Sequence, residues 1–259
     1  MGKNKLARWA ELDTFENVIQ PVIGTDSRND HRIKGNWRRE IFKNDNPLIL
    51  ELACGKGEYT VGMAMLMPGC NFTGIDIKGA RMWRGARTAH DRQLKNTAFL
   101  RTRIEFINSF FACDEVDEIW ITFPDPHPGK RNSNKRLTCP WFLNTYRNFL
   151  RDKGIIHLKT DNTELYSYTG RLAADNGLEI VASTTDMHSM DPGLIPVTGR
   201  ILSSVSDPAA VREIQTGIRD VRTHYETMFM EKGMKINYIA FRLEKGKEIR
   251  HGWEASEYE

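Results

Sequence analysis

The sequence is poor in the patterns that build metal sites and disulfide frameworks. Its four cysteines contain no CxxC pair and its seven histidines form no HxH or HxxxH array. Structural zinc sites and small disulfide-rich folds need such spaced pairs. We therefore expect neither a bound metal nor disulfides, and the scattered thiols suit a reducing cytoplasm.

Long apolar runs are missing as well. No stretch reaches the ~20 apolar residues that a membrane-spanning helix requires. The first twenty residues are polar and charged, without the apolar core of a signal peptide. The expected protein is therefore soluble and cytoplasmic, with no membrane association.

Several catalytic signatures are also absent. No GxSxG motif occurs, so a serine nucleophile elbow is not indicated. The glycine turn at 55–57 is not followed by GKS or GKT, which excludes a P-loop. It also lacks the third glycine of a dinucleotide fingerprint, because position 60 is Thr. A nicotinamide dehydrogenase is thereby disfavoured.

Composition is that of an ordinary globular protein with an uneven charge distribution. The chain has 259 residues, 40% hydrophobic and 27% charged, with a net charge of +3. Basic residues concentrate near the N-terminus and in 128–136, whereas the C-terminal tail is acidic. We therefore divide the chain into a basic extension (1–46), one main domain (47–245) and an acidic tail (246–259).

The most informative stretch is 121–137, ITFPDPHPGKRNSNKRL. An apolar run ends at Pro124–Asp125–Pro126, where the two prolines forbid a helix. A buried strand is thus predicted to present one carboxylate at its carboxyl end, where open α/β sheets bind ligands. The segment that follows is a cationic loop containing Lys130, Arg131, Lys135 and Arg136. The alternative is a strand end followed by a solvated turn.

A second stretch predicts the opening of a nucleotide-binding βα unit. The strand-like run LILEL is followed by the turn ACGKG and a helix over 58–67. Asp76 ends the next strand, nineteen positions after Gly57, which is about where such folds place a carboxylate on ribose hydroxyls. Two simpler readings stay open: Glu51 as a strand-end residue facing water, and Asp76 as a helix N-cap.

The alternation of strands and helices predicts an α/β, doubly wound, seven-stranded sheet. The predicted strands are 48–52, 71–77, 98–102, 117–123, 154–160, 178–183 and 236–243, with helices over 81–94, 104–112, 140–150, 163–176 and 219–232. Asp161 follows the fifth strand and could equally cap the next helix. Residues 185–208 are predicted to form an irregular insertion.

Residues 1–46 show no sustained periodicity. Basic residues interleave there with Trp9, Phe15 and Trp37, a pattern that can bind RNA through phosphates and stacking. The alternative is an extension that packs over the main domain with its charges in water.

Four ordered blocks carry a resemblance to a known family. They are LELACGKGEYT (50–60), GIDIK (74–78), FPDPHPGKRNSNKRL (123–137), and KTDN (159–162) with THYETMFMEKGMKI (223–236). In order and spacing the chain resembles the bacterial tRNA (guanine-N7)-methyltransferases, which are class I S-adenosylmethionine-dependent enzymes. The FPDP strand end with its basic loop is the most discriminating block.

The resemblance implies a Rossmann-like methyltransferase fold, mostly parallel with one antiparallel C-terminal strand. It implies S-adenosylmethionine as cofactor, tRNA as partner with guanine 46 of the variable loop as target, and a monomer or homodimer. Asp125 would lie at the reacting centre. Cofactor contacts would come from Glu51, Gly55, Gly57 and Asp76. Substrate contacts would come from Lys130, Arg131, Lys135, Arg136, Asp161, Thr223, Tyr225 and Glu226.

The chain departs from the family pattern at three positions. Arg103 stands where the family usually has an Asp near the cofactor's adenine, so that contact would come from backbone or from Glu105. His127 replaces a Trp, and Gly129 replaces the first lysine of the loop. Two other functions therefore stay open: a class I methyltransferase acting on another RNA or a small molecule, and a non-catalytic RNA-binding protein with this fold.

Overall fold

The apolar runs of the sequence become the buried strands of one sheet. The structure, a computed structural model, describes residues 3–21, 29–202, 205 and 207–251. All five residues of Leu48–Leu52 and all seven of Val116–Thr122 are buried. Strands that are buried on both faces are expected where helices cover both sides of a sheet.

The described ranges contain eight strands and eight helices. The strands are β1 Val18–Ile19, β2 Leu48–Leu52, β3 Asn71–Asp76, β4 Thr97–Arg101, β5 Val116–Thr122, β6 Leu150–Thr160, β7 Ile180–Thr184 and β8 Asn237–Leu243. The helices are α1 Lys3–Leu12, α2 Glu58–Leu66, α3 Gly79–Asp91, α4 Pro140–Tyr146, α5 Thr163–Asp175, α6 Gly199–Leu202, α7 Pro208–Asp220 and α8 His224–Glu231. Short 3-10 turns cover Ile104–Ser109, Lys130–Lys135, Met187–Ser189 and Pro192–Leu194, and a π-helical turn covers Trp37–Phe42.

The strand order is β1-β4-β3-β2-β5-β6-β8-β7. Only β8 runs antiparallel to its neighbours, β6 and β7, within the part of the chain that is described. The doubly wound, mostly parallel sheet with an antiparallel C-terminal strand is therefore confirmed. The chain leaves β2 towards β3 on one side, and β5 lies on the other, so the carboxyl end of β2 is the switch point where such sheets bind ligands.

The predicted number of seven strands is wrong, because the described sheet has eight. The additional strand is β1, whose Val18 and Ile19 pair in parallel with Phe99 and Leu100 of β4. A strand of two residues has no alternation that a sequence pattern can reveal. It lies in the segment that we predicted to be an extension without sustained periodicity.

The predicted helix 219–232 also differs from the structure. Residues 208–220 form α7, which the sequence analysis did not predict, and a break at 221–223 separates it from α8. The predicted helix 219–232 therefore joins the ends of two helices. The insertion at 185–208 holds short helical turns, and its residues 203, 204 and 206 lie outside the described ranges. No described helix is long and apolar enough to cross a membrane.

Neighbouring residues of β2 point to opposite faces of the sheet and enter different apolar clusters. Leu48, Leu50 and Leu52 belong to the cluster that includes residues of α4 and α5. Ile49 belongs to the cluster that includes residues of α2 and α7. This period of two is the geometry of an extended strand, and it places the core on both sides of the sheet.

The N-terminal segment packs against α3 through α1 and pairs with β4 through β1. Trp83 Nε1 on α3 donates to Glu11 Oε2 of α1 at 2.8 Å, and the Arg8 guanidinium lies 4.7 Å from the Trp83 ring centroid. These contacts match the packed-extension alternative and leave RNA binding by this segment untested. Residues 22–28 and 252–259 lie outside the described ranges, so the boundaries 1–46, 47–245 and 246–259 stay a prediction.

A buried carboxylate joins three segments at the amino ends of the strands, opposite the switch point. Asp117, at the start of β5, is only 3% exposed. Its Oδ2 accepts from Arg38 Nη2 at 2.7 Å and from the Leu48 N–H at 2.8 Å. Its Oδ1 lies 2.8 Å from Arg151 Nε and 3.0 Å from Arg200 Nη1. One acid thereby anchors the N-terminal segment, β6 and the insertion.

We predict that Asp117→Asn lowers the free energy of unfolding by about 3 kcal/mol, because three guanidinium groups lose their shared buried counter-charge. Urea denaturation monitored by circular dichroism measures this change. The matched control is Asp114→Asn, whose carboxylate is half exposed and pairs with Lys245. It should cost less than about 1 kcal/mol. Equal effects of the two substitutions would contradict an anchoring role for Asp117.

Candidate active site

A cavity of about 700 Å³ opens beside the switch point, at the carboxyl ends of β4, β3, β2, β5 and β6. The predicted site residues that line it are Gly55, Asp76, Asp125, Lys135, Asp161, Thr223 and Tyr225. The predicted site residues outside its lining are Glu51, Gly57, Lys130, Arg131, Arg136 and Glu226. The sheet thus brings together residues that are up to 170 positions apart, from Gly55 to Tyr225.

The glycine turn after β2 forms one wall, and its two predicted glycines serve different purposes. Gly55 has φ +55°, and an added Cβ would meet nothing closer than the Ala53 carbonyl oxygen at 4.0 Å. Its open side therefore belongs to the cavity. Gly57 has φ +70°, and an added Cβ would lie 2.5 Å from the Phe99 ring. Gly57 is thus required for close packing of the turn against β4.

Asp76 at the end of β3 holds this turn in place. Its Oδ2 accepts from the Gly55 N–H at 2.9 Å, and its Oδ1 accepts from the Lys78 N–H at 2.7 Å. Lys78, not Asp76, occupies the N-cap position of α3, so the N-cap alternative is wrong. The carboxylate is partly exposed and lines the cavity, where it can meet a ligand.

Glu51 lies beneath the turn and is only 4% exposed, so the reading in which it faces water is wrong. Its Oε2 accepts from the Thr60 N–H at 2.8 Å and from the Thr60 hydroxyl, and its Oε1 accepts from the Thr122 hydroxyl at 2.6 Å. Burial raises the pKa of Glu51 to about 7, although these hydrogen bonds oppose the shift. Glu51 thus links the start of α2, which follows the glycine turn, to the end of β5.

The FPDP segment turns sharply where β5 ends. Phe123 has φ +48° and His127 has φ +44°, which is strained for residues with side chains and is typical of functional sites. The Phe123 N–H donates to the Lys159 carbonyl at 2.8 Å, which fixes the start of the turn against β6. Asp125 is exposed at the cavity wall, with Oδ1 3.5 Å from the His127 nitrogen. Its carboxylate is therefore accessible to a ligand.

The cationic loop contains both exposed and buried basic residues. Lys130 and Arg131 are exposed, and Lys135 lines the cavity. Arg136 is only 3% exposed. Its guanidinium donates to Glu164 Oε1 at 2.5 Å and to the His127 carbonyl at 3.1 Å. The structure therefore does not bear out the substrate contact expected of Arg136, because its charge is already engaged inside the protein, where it orders the loop.

Asp161 lines the cavity at the end of β6. The alternative in which it caps the next helix is wrong, because Asn162 is the N-cap of α5 and its side chain accepts from the Leu165 N–H at 2.8 Å. Burial raises the pKa of Asp161. Asp125 and Asp161 therefore stand at neighbouring strand ends with carboxylates that make no helix cap.

The segment 223–226 closes the side of the cavity next to β6, where Thr223 and Tyr225 line it. Thr223 and Glu226 form a capping box at the start of α8. Glu226 is fully buried, so the expectation that it contacts substrate is corrected. Its Oε1 lies 2.9 Å from Lys159 Nζ and 3.0 Å from His188 Nε2. Burial opposes its ionisation, yet these two partners together lower the pKa of Glu226.

Sequence reasoning missed Lys159, His188 and Phe229. Lys159 is fully buried, and its signal is a lysine inside the apolar run GIIHLKT. Phe229 lines the cavity one helical turn after Tyr225, which is an i, i+4 spacing on one helix face. His188 lies in the insertion that was predicted to be irregular and carried no recognisable signal.

The part of the cavity next to the end of β4 contains a departure from the family pattern that the sequence resembles. Arg103 and Glu105 both line it, and Arg103 Nη2 lies 2.9 Å from Glu105 Oε1. The position that usually carries an Asp thus holds an ion pair whose acid comes two residues later. Within the described ranges, no group of three potential metal ligands occurs; the expected absence of a metal stays a prediction.

We predict that the stability difference between wild type and Glu51→Gln depends on pH. The carboxyl of Glu51 has a pKa of about 7 when folded against 4.5 ordinarily. The folded state therefore binds the proton of Glu51 more tightly than the unfolded state does. The stability that this proton contributes is fully present below pH 4.5 and is lost as the pH rises to about 7. Wild type should lose up to about 3 kcal/mol relative to the variant over this interval.

Urea unfolding of both proteins at pH 5, 6, 7 and 8 checks this dependence, because the contributions of other groups cancel in the difference. A difference that stayed constant over this range would contradict a raised pKa at Glu51.

We predict that Glu226→Gln lowers the free energy of unfolding by about 3–5 kcal/mol, because it leaves the Lys159 ammonium buried without a counter-charge. The double variant Lys159→Met/Glu226→Leu should be more stable than Glu226→Gln. The control Glu231→Gln, at an exposed position of the same helix, should change stability by less than about 0.5 kcal/mol. Thermal and urea denaturation measure all three. A double variant no more stable than Glu226→Gln would argue against the ion pair.

Comparison with known proteins places this chain in a family. Residues 45–198, more than half of the chain, match the family model described as "Putative methyltransferase". The tRNA (guanine-N(7)-)-methyltransferase of Bacteroides fragilis is 41% identical over 250 residues, covering 96% of this chain and 90% of the relative. The enzyme of the same name from Christiangramia forsetii is 44% identical over 242 residues, covering 93% and 99%.

Among solved structures, the crystal structure of the 16S rRNA methyltransferase KamB superposes with a TM-score of 0.56 at 10% identity. The match covers 83% of this chain and 95% of that one, and it shows a shared fold. The resemblance drawn from the four sequence blocks is confirmed: the chain belongs to the tRNA (guanine-N(7)-)-methyltransferase family.

Proposed function

We propose that this protein transfers a methyl group from S-adenosylmethionine to N7 of a guanine in tRNA, and that the target is guanine 46 of the variable loop. The observation that carries the proposal is one cavity with a glycine turn on one side of the switch point and two strand-end carboxylates, Asp125 and Asp161, on the other. Family membership supports the reaction and the substrate class.

The residues around the glycine turn suit the cofactor. The open side of Gly55 leaves room for a ligand against the backbone, and the Asp76 carboxylate at the next strand end lines the same wall. We infer that Gly55 and Asp76 hold the nucleoside and that Glu51 and Gly57 support them from below. S-adenosylmethionine supplies a methyl group on a sulfonium, which is electrophilic without help from a metal.

The chemistry demands little proton transfer from the protein. Guanine N7 carries a lone pair and no proton, so no base has to activate it. Positioning and electrostatics then supply most of the catalysis. Asp125 is exposed to the cavity and can accept from guanine N1–H and N2–H₂. We assign Asp125 to orienting the base and to stabilising the positive charge that the purine gains.

The substrate must present its N7 edge to a pocket inside the protein. In an RNA helix this edge lies in a deep, narrow groove, so the guanine has to leave its stack to react. We infer that Asp161, Thr223 and Tyr225 receive the base. The adjacent phosphates would be bound by Lys135, which lines the cavity, and by Lys130 and Arg131 on the same 3-10 turn. Such contacts make affinity depend on salt.

We predict that Asp125→Ala reduces the single-turnover methylation rate by about 100-fold or more while the Kd for tRNA changes by less than about threefold. Labelled S-adenosylmethionine with unmethylated tRNA measures the rate, and borohydride–aniline cleavage locates the modified base. Wild-type cleavage at a base other than guanine 46 would contradict the proposed target.

The same preparation separates the role of the cationic loop. Lys130→Glu/Arg131→Glu should weaken tRNA binding. It should also reduce the slope of log affinity plotted against log salt concentration by about one to two in magnitude. The control Arg92→Glu/Lys95→Glu makes the same charge change on exposed residues just before β4, at the opposite edge of the sheet, and should have a much smaller effect. Equal losses would indicate an effect of net charge alone.

A further inference from the structure

Three aromatic side chains form one face of the cavity on its substrate side. Phe123 follows β5, while Tyr225 and Phe229 lie one turn apart on α8, and all three line the cavity. Ring centroids are 5.9 Å apart for Phe123 and Phe229 and 6.5 Å apart for Tyr225 and Phe229. We call this set the aromatic wall.

The aromatic wall lies on the same side of the switch point as the strand-end acids. Phe123 follows β5 directly and precedes Asp125 by two residues, and Asp161 directly follows the neighbouring strand β6. The glycine turn that suits the cofactor lies towards β3 and β4 instead. A planar ligand held at Asp125 and Asp161 would therefore have the aromatic wall beside it.

The backbone that carries the aromatic wall is fixed by local contacts. The rings themselves are not packed inside the core. Phe123 keeps a positive φ of +48°, a strained conformation for a bulky residue. The capping box and the Lys159–Glu226 ion pair fix the start of α8. Yet none of the three rings is fully buried, and Tyr225 is 42% exposed. Aromatic faces that border an open cavity are typical stacking surfaces for unpaired bases.

We propose that the aromatic wall is the stacking surface for the target guanine, and that it stabilises the positive charge that appears on the purine during methyl transfer. The inference rests on the proposed function and adds a subsite to it. The N7 lone pair forms the new N–C bond as the carbon–sulfur bond breaks, and that bond's electrons stay on sulfur. The positive charge thus passes to the purine, and no proton moves.

The electrostatics of an aromatic ring suit this change. The face of a ring carries partial negative charge and attracts a cation within about 6 Å. A neutral guanine gains stacking alone, whereas the methylated purine gains stacking and a cation–π attraction. Because the attraction grows along the reaction, it lowers the barrier as well as assisting binding. The aromatic wall should therefore prefer 7-methylguanosine to guanosine.

The test compares Phe229→Leu, which removes one ring, with Phe229→Tyr, which keeps it. Phe229→Leu should lower the single-turnover methylation rate at saturating tRNA by about 10- to 100-fold, with unchanged affinity for S-adenosylmethionine. Phe229→Tyr should retain the rate within about threefold. In competition assays, wild type should be inhibited more strongly by 7-methylguanosine than by guanosine, and Phe229→Leu should lose this preference.

Two controls separate a stacking role from a loss of stability. Phe72→Leu makes the same substitution in the core, near the amino end of β3 and away from the cavity. It should lower the melting temperature without altering nucleoside preference. Tyr225→Leu alters an exposed ring, so it should reduce the rate with little change in melting temperature. This second variant keeps the test valid if Phe229→Leu folds poorly.

The inference would be overturned if Phe229→Leu and Tyr225→Leu methylated tRNA at the wild-type rate, or if wild type did not distinguish the two nucleosides. Failure of the proposed function is a separate result: wild type would then form no N7-methylguanine in tRNA by borohydride–aniline cleavage. A wild type that methylates N7 while the wall variants remain fully active refutes the aromatic wall alone.

Discussion

The side of the cavity that we propose for the substrate depends on one buried ion pair, between Lys159 of β6 and Glu226 of α8. Taking two charges out of water costs several kcal/mol per ion, so such a pair is tolerated only when its remaining hydrogen-bonding groups are satisfied. Here His188, the Thr223 N–H and the Val221 carbonyl supply further partners. Four segments of the chain are thereby fixed relative to one another. As a result, Thr223, Tyr225 and Phe229 are held at the cavity.

The side that we propose for the cofactor is organised by carboxylates that accept hydrogen bonds from backbone N–H groups. Asp76 accepts from two N–H groups, one of them in the glycine turn, and remains partly exposed. Glu51 binds Thr60 and Thr122 and is buried. Both acids end up near strand termini, but burial gives them opposite properties: one is available to a ligand, and the other shapes the floor on which the ligand would rest.

Most of the sheet was predictable because its strands are continuous apolar runs between breakers, as in β2 and β5. The strand-end acids Asp76, Asp125 and Asp161 were predictable for a related reason, since parallel strands deliver their carboxyl ends to one edge. The sequence could not show which charges are buried. In the sequence, Arg136 and Glu226 look like any solvent-facing charged residues. Their partners, Glu164 and Lys159, lie 28 and 67 positions away.

The two-residue strand β1 has a consequence for the edge of the sheet. Without it, β4 would end the sheet and present a row of unpaired backbone groups beside apolar side chains such as Phe99 and Leu100. Exposed edges of that kind recruit strands from other molecules. The Asn17 carbonyl accepts from the Phe99 N–H at 2.8 Å, and Val18 and Ile19 cover the same edge. The N-terminal segment therefore leaves fewer backbone groups of β4 open to strand pairing with another molecule.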